Sequence, residues 1–246
     1  MNIEKLSLIG RKSYKYNDNI TISIPTIKQI RGNNESDEQR FWSEINIFIQ
    51  TPSDMISELD SVGIDFEKIS DYDLFIFLFA MKKNESSHGL SFFNNLCLWD
   101  LEVVNYDNRI VLVDELNNVI IDNEIYDDLS QIISIIIGHK KTQKKKFGNS
   151  FAKKKRIEQD YKKKERMRNR NKEECSNVLD GIILRLVCNS NFPYNFETIE
   201  NVTIYDSIYS LKQIDKDIQV TDLLQSRLVG NDLSKLPDEQ LSRFVL

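Results

Sequence analysis

The sequence predicts an α+β fold, mainly α-helical, and three observations carry that prediction. Only 8 Gly and 4 Pro in 246 residues leave long stretches free of helix breakers. Apolar residues recur at three- and four-residue intervals over most of the chain, the spacing of amphipathic helices. Alternation of apolar and polar residues is confined to two short regions, the mark of hairpins. The expected architecture is an N-terminal β-hairpin, a small central β-hairpin and a helical C-terminal half with a long basic helix. Its expected divisions are an α+β domain over 1–137, a basic linker and helix over 138–172, and a helical domain over 173–246.

Each element has a local reason. In Leu6–Ile24, Tyr14 and Tyr16, then Ile20, Ile22 and Ile24, alternate around the turn-prone Asn17, Asp18 and Asn19, which predicts two short strands. Pro25 stops the second strand, and Thr26 can cap a helix that starts at Ile27 and ends at Gly32. Phe41, Trp42, Ile45, Phe48 and Ile49 form the apolar stripe of the next helix. Thr51 to Asp54 predicts a new helix start, with Met55, Ile56 and Leu59 on one side and Gly63 as its end. Ser70 and Asp73 resemble a cap before Leu74–Met81, a helix apolar nearly all round and therefore expected in the core. Val103–Val113 and Val119–Ile121 alternate around Asn117 and Asn118, the strongest strand–turn–strand pattern in the chain. Leu129, Ile132, Ile133 and Ile136 then give helical spacing to Tyr126–Ile137, although its Ile-rich end is equally compatible with strand.

Gly138–Asn149 has glycines and lysines without an apolar period and reads as an exposed linker. From Ser150 there is no Gly or Pro until Gly181, so one long helix is expected, solvated in its first half and buried through Val178, Leu179, Ile182, Ile183, Leu186 and Val187. Helices are expected over Phe196–Ile218 and Val220–Leu228, followed by a break at Gly230 and a closing segment Lys235–Leu246. Phe41, Trp42, Phe75, Phe77, Phe79, Ile182 and Leu186 are assigned to the core.

Charge is distributed very unevenly. Between Lys140 and Lys172, sixteen Lys or Arg face only Glu158, Asp160 and Glu165, a net +13 in a chain of net −5, so the rest carries −18. One adhesive basic surface on an acidic protein is the pattern of a binding protein, with a polyanion, an acidic protein or another copy's acidic face as candidate partners. The residues nominated for partner binding are Lys153, Lys154, Lys155, Arg156, Lys162, Lys163, Lys164, Arg166, Arg168 and Arg170. A nucleic acid would use them for phosphates, with Phe147, Phe151 and Tyr161 for stacking; a protein partner would meet them with acidic side chains; a solvated helix would use them for solubility.

Catalytic chemistry finds no foothold in the sequence, so no enzyme, no metal and no cofactor are expected. Gly138–Thr142 has the residue types of a phosphate loop without its spacing. His88 and His139 adjoin no nucleophile, and Cys97, Cys175 and Cys188 are odd in number and widely spaced, which fits neither a disulfide framework nor a zinc site. Asp122, Glu124, Asp127 and Asp128 could hold a metal in a nuclease, but carboxylates at a helix start are favoured by the helix dipole alone. Leu74–Met81 and Ile132–Ile137, the longest apolar runs, fall far short of the roughly 20 residues of a membrane-spanning helix. Met1–Arg11 lacks the pattern of a secretory signal, so a cytoplasmic location without membrane partners is expected.

Several segments together carry a family resemblance: Asn19–Ile27 (NITISIPTI), Thr51–Met55 (TPSDM), Gly63–Phe75 (GIDFEKISDYDLF), the basic stretch ending Asn171–Glu174 (NKEE), Phe192–Ile199 (FPYNFETI) and Thr203–Ile214 (TIYDSIYSLKQI). They resemble a family encoded in the tail-gene cluster of tailed bacteriophages of Gram-positive bacteria, most like a tail assembly chaperone or a neighbouring accessory tail protein. The resemblance implies a morphogenesis factor that binds the tape measure or tube protein in the host cytoplasm, as an oligomer or part of an assembly. Its alternatives are a structural component of the virion tail, connector or baseplate, and a nucleic-acid-binding protein using residues 140–172. Gln225–Asp232 departs from the family pattern in lacking an aromatic- and glycine-rich signature.

Overall fold

A computed structural model of the chain describes residues 8–32, 35–83, 92–94, 96–106, 109–114, 118–142, 147, 149–171, 178–190 and 192–228. The α+β, mainly helical class holds: two small antiparallel sheets sit among eight described α-helices. The first sheet is the predicted hairpin, β1 (Ser13–Lys15) and β2 (Thr21–Ser23), paired with Tyr14 opposite Ile22. The Asn17 side chain shapes its turn by accepting from the N–H groups of Asn19 and Ile20, at 2.9 and 2.7 Å.

Helix α1 (Ile27–Arg31) starts and stops where predicted. Thr26 and Gln29 form a reciprocal capping box, and Gly32 takes the positive φ of 57° that closes the helix. Helix α2 (Glu35–Ile49) follows, with Phe41, Ile45 and Phe48 fully buried. Thr51–Asp54 differs from expectation: Thr51 N–H and Oγ1 both donate to Asp54 Oδ2, at 3.0 and 2.7 Å, which folds these residues into a turn. Helix α3 (Ile56–Ser61) therefore begins two residues beyond Asp54. Helix α4 (Asp71–Lys83) carries the expected cap, Asp73 N–H donating to Ser70 Oγ at 3.0 Å. It is not buried all round, since Ala80 and Met81 face solvent.

The second sheet has three strands rather than two. Val103–Val113 was expected as one strand, but it divides into β3 (Glu102–Tyr106) and β4 (Arg109–Asp114), which pair with each other before β4 pairs with β5 (Val119–Ile121). The sequence does carry a signal for the reversal, the turn-prone pair Asp107-Asn108 between two apolar runs, which the reading of a single strand passed over. Asp122 caps α5 (Asn123–Ile136) by accepting from Ile125 N–H at 2.9 Å, and helix prevails over strand at its Ile-rich end.

Helix α6 (Ser150–Asn171) and helix α7 (Val178–Val187) both fall within the span expected as one long helix, and residues 172–177 between them lie outside the described residues. Gly181 lies inside α7 with no atom near the place of a side chain, so it does not end the helix. A 3-10 turn at Ile199–Asn201 precedes α8 (Ile204–Leu228), one helix where two were expected. The expected closing segment Lys235–Leu246 lies outside the described residues.

The core sits between α2, α4 and α5. Tyr126 stacks on Phe75 at 4.6 Å, Phe75 meets Phe48 at 5.0 Å, and Phe79 stacks on Trp99 at 5.9 Å. Phe48 also exposes a last-turn carbonyl of α2, which accepts from Ser130 Oγ at 2.5 Å and Tyr126 Oη at 3.4 Å. Of the seven predicted core residues, Phe41, Phe75, Phe79 and Leu186 are buried, while Trp42, Phe77 and Ile182 pack half-buried against them. The start of α8 joins the N-terminal hairpin through Ile204 N–H to Pro25 O at 2.9 Å and Ile27 N–H to Val202 O at 3.0 Å. Leu179, Ile183, Leu186, Ile199 and Tyr205 belong to the same buried cluster as the residues of α2 to α5. No helix among the described residues is long and apolar enough to cross a membrane.

Candidate docking surface on the basic helix

The basic helix is docked along one side of the body. Asn149 starts it, its side chain accepting from Ala152 N–H at 2.7 Å. From there Lys153, Ile157, Asp160 and Lys164 follow at intervals of four, three and four residues, so they share one face, and that face lies along α3.

Asp160 is the centre of the contact. It is 7% exposed and accepts from both the backbone N–H and the hydroxyl of Ser57, at 3.2 and 2.8 Å. Lys164 Nζ lies 3.0 Å from Asp160 Oδ2, donates to Asp54 O at 3.0 Å, and pairs with Glu58. Burial alone would raise the pKa of Asp160 and of Glu58, but Lys164 and the Ser57 donors outweigh it and hold both carboxyls below their ordinary values. Tyr161 Oη closes this end by donating to Ser57 O at 2.9 Å.

A second clamp forms about two turns before Asp160, on the loop that follows α3. Lys153 Nζ reaches Asp65 at 2.5 Å and Glu67 at 3.0 Å, and stands over the Phe66 ring at 5.0 Å. The Lys153 hydrogen bond lowers the pKa of Asp65, and the Phe147 N–H with Lys153 lowers that of Glu67; the same pairing raises that of Lys153. Phe147 packs edge-on against Phe66 at 6.1 Å, and Thr142 Oγ1 donates to Asp54 at 2.8 Å. The linker expected to be exposed is thus tied at both described ends to the acidic segment 54–73.

The nominated residues therefore fall into two groups. Lys153 and Lys164 are half-buried and engaged within the chain. Lys154, Lys155, Arg156, Lys162, Lys163 and Arg166 are exposed on the outer side of α6, and the side chains of Arg168 and Arg170 lie outside the described part. Of the three aromatic residues considered for stacking, Phe147 and Tyr161 are held by the contacts above, and Phe151 is 75% exposed. The spacing of Ile157, Asp160 and Lys164 puts them on one helical face, but nothing in the sequence separates Asp160 from its neighbours Glu158 and Glu165 as the acid that turns inward.

Elsewhere the other candidates resolve into structural roles. Asp122 is a cap and Asp128 accepts from Tyr16 Oη at 2.9 Å, which together with burial pushes the Tyr16 pKa up to about 12. Burial likewise raises the pKa of Asp127, partly offset by Lys141. Among the described residues no group of three His, Cys, Asp or Glu side chains is placed to hold a metal ion. His139 lines a cleft of about 600 Å³ between the end of α5 and α8, with Tyr205, Tyr209 and Lys212 on the opposite wall. Cys97 and Cys188 are free thiols; His88 and Cys175 lie outside the described residues. Compared with models of protein families, with curated proteins and with solved structures, the chain shows no significant match.

Proposed function

We propose that the chain is a non-enzymatic morphogenesis factor of a tailed bacteriophage, an assembly chaperone that binds an acidic surface of a tail protein, the tape measure or tube protein, through the outer face of α6. The observation that carries the binding part is the division of that helix. Lys153 and Lys164 are engaged by the chain's own carboxylates, while Lys154, Lys155, Arg156, Lys162, Lys163 and Arg166 remain exposed around the outward half of the helix. A fixed helix presenting a set of cations needs little further ordering when an acidic partner binds. The identification of that partner as a tail protein rests on the segments that resemble the phage family.

A single-stranded nucleic acid is less well served by the same surface. Its bases need aromatic platforms beside the cations; Phe147 is packed against Phe66 and the half-exposed Tyr161 has its hydroxyl tied to Ser57, which leaves Phe151 alone of the three freely presented.

The experiment is capture of the tagged chain from phage-infected cells, with mass spectrometry of purified virions from the same culture. Tape measure protein in the capture and absence of the chain from virions is the expected result. Abundance in virions would make it a structural tail component instead. Charge reversal at Lys154, Lys155, Lys162 and Lys163 should abolish capture with the circular dichroism spectrum unchanged; retained capture would remove α6 from the interface. Lys153 is unsuited to this test because its reversal would break the clamp on Asp65 and Glu67.

A further inference from the structure

Strand β3 lies at the rim of the three-stranded sheet, whose order is β3-β4-β5, and all five of its residues are exposed, including Val103 at 47%, Val104 at 38% and Tyr106 at 69%. Natural edges are blunted by proline, lysine or a bulge; the run Glu102-Val103-Val104-Asn105-Tyr106 has neither proline nor lysine, and its one-to-one register with β4 has no bulge. We propose that this edge pairs with the same edge of a second copy of the chain, joining two three-stranded sheets into one six-stranded sheet across a two-fold axis at Val104.

The direction of the backbone groups sets the register. Tyr72 Oη donates to Ile110 O at 2.8 Å while lying 3.0 Å from Ile121 O on β5, so the Ile110 carbonyl points away from β3. In antiparallel pairing, opposite residues turn their backbone groups either both inward or both outward. Asn105 is opposite Ile110, so its N–H and C=O point to the free edge, and alternation gives Val103 the same orientation. A two-fold axis at Val104 sets Val103 of each copy against Asn105 of the other, which satisfies four free-edge hydrogen bonds and places the two Val104 side chains face to face.

Charge is also complementary in this register. Glu102, Val104 and Tyr106 share a face with Arg109 and Val111 of β4. Glu102 of the second copy falls beside Tyr106 and about 10 Å from Arg109, two strand spacings away and within reach of the two long side chains. Val104 meeting its own copy adds the apolar centre. Five-residue strands bury less than a standard interface of about 1,600 Å², so the association is weak and reversible on dilution.

Sedimentation of the full chain over a concentration series tests this, with Asn105→Pro as the variant. Asn105 does not use its N–H inside the sheet, so proline there leaves the β3–β4 ladder intact and blocks only the free edge. The expected result is a concentration-dependent dimer in the wild type and a monomer with unchanged melting temperature in Asn105→Pro. A wild-type monomer up to about 1 mM, or a dimer that survives in folded Asn105→Pro, would overturn the proposal. Val104→Cys supplies a second reading that does not depend on the proline variant folding. Mild oxidation should link it into dimers at least tenfold faster than Ile120→Cys, an exposed position on the same face but on β5 at the opposite rim of the sheet. Equal rates would also overturn the proposal.

Discussion

Single buried polar groups set how this fold responds to its surroundings. Glu44 on α2 is 5% exposed and accepts from Phe92 N–H at 3.1 Å, and burial pushes its pKa up to about 7 from an ordinary 4.5. A carboxyl raised in the folded state favours folding when protonated, so its contribution is fully present below pH 4.5 and lost as pH rises through 7. Replacing Glu44 with Gln should therefore flatten the pH dependence of stability. The variant is expected to gain on the order of 2–4 kcal/mol at pH 8 relative to its difference from wild type at pH 4, read from denaturant titrations; a pH-independent difference would show that Glu44 is not the titrating group. Asp160 is the opposite case, a buried carboxylate whose partners are in place. Asp160→Ala strands the Ser57 donors and should cost about 1–3 kcal/mol, with α6 losing hydrogen-exchange protection before the core does. Neither role was visible in the sequence, where Glu44 reads as a polar position of an amphipathic helix and Asp160 as one acid in a basic run. Their meaning depends on Phe92 and Ser57, which are 48 and 103 residues away.

At the level of elements, the local signals were read well where chemistry is local. Thr26 and Ser70 each cap the helix that follows, and Gly32 ends α1, whereas Asp122, read only as part of an acidic cluster, caps a helix that starts three residues before the expected Tyr126. Gly138 shows why the end of α5 needs glycine for two reasons at once: its φ is 65°, and a Cβ there would stand 2.6 Å from Ile208 Cγ2 on α8. Gly138→Ala should lower stability by about 1–3 kcal/mol and loosen α8 against α5, which a thermal melt and hydrogen exchange at Ile208 would report. The docking of α6 has its own pH signature. Asp65, Glu67, Glu58 and Asp160 all have lowered values, so the stability they give is present above their ordinary range near pH 4 and lost as pH falls through the folded values. Acidification below about pH 4 should release α6 from α3 while α2, α4 and α5 stay protected, and protection that is lost uniformly across all four helices would contradict this order.

Over the whole molecule, the division between a basic segment and an acidic remainder is partly neutralised within the fold and partly left for others. Capture of an acidic partner by the outer face of α6 should weaken at least tenfold between 0.1 and 1 M salt, as the screening length falls from about 10 to about 3 Å; the internal clamp of Lys164, Asp160 and Ser57, being partly buried, should keep α6 protected across the same range. The sequence by itself determined the class of fold, the caps, the hydrophobic stripes and the existence of a basic helix, because these follow from spacings of three, four or two residues along one chain. Only the tertiary structure decided which side of that helix faces inward, that Thr51–Asp54 is a turn and that β3 is left at a free edge. Those outcomes depend on partners such as Ser57, Asp65 and Ile110, brought together by packing from distant parts of the chain, and a pattern read along the sequence contains no term for them.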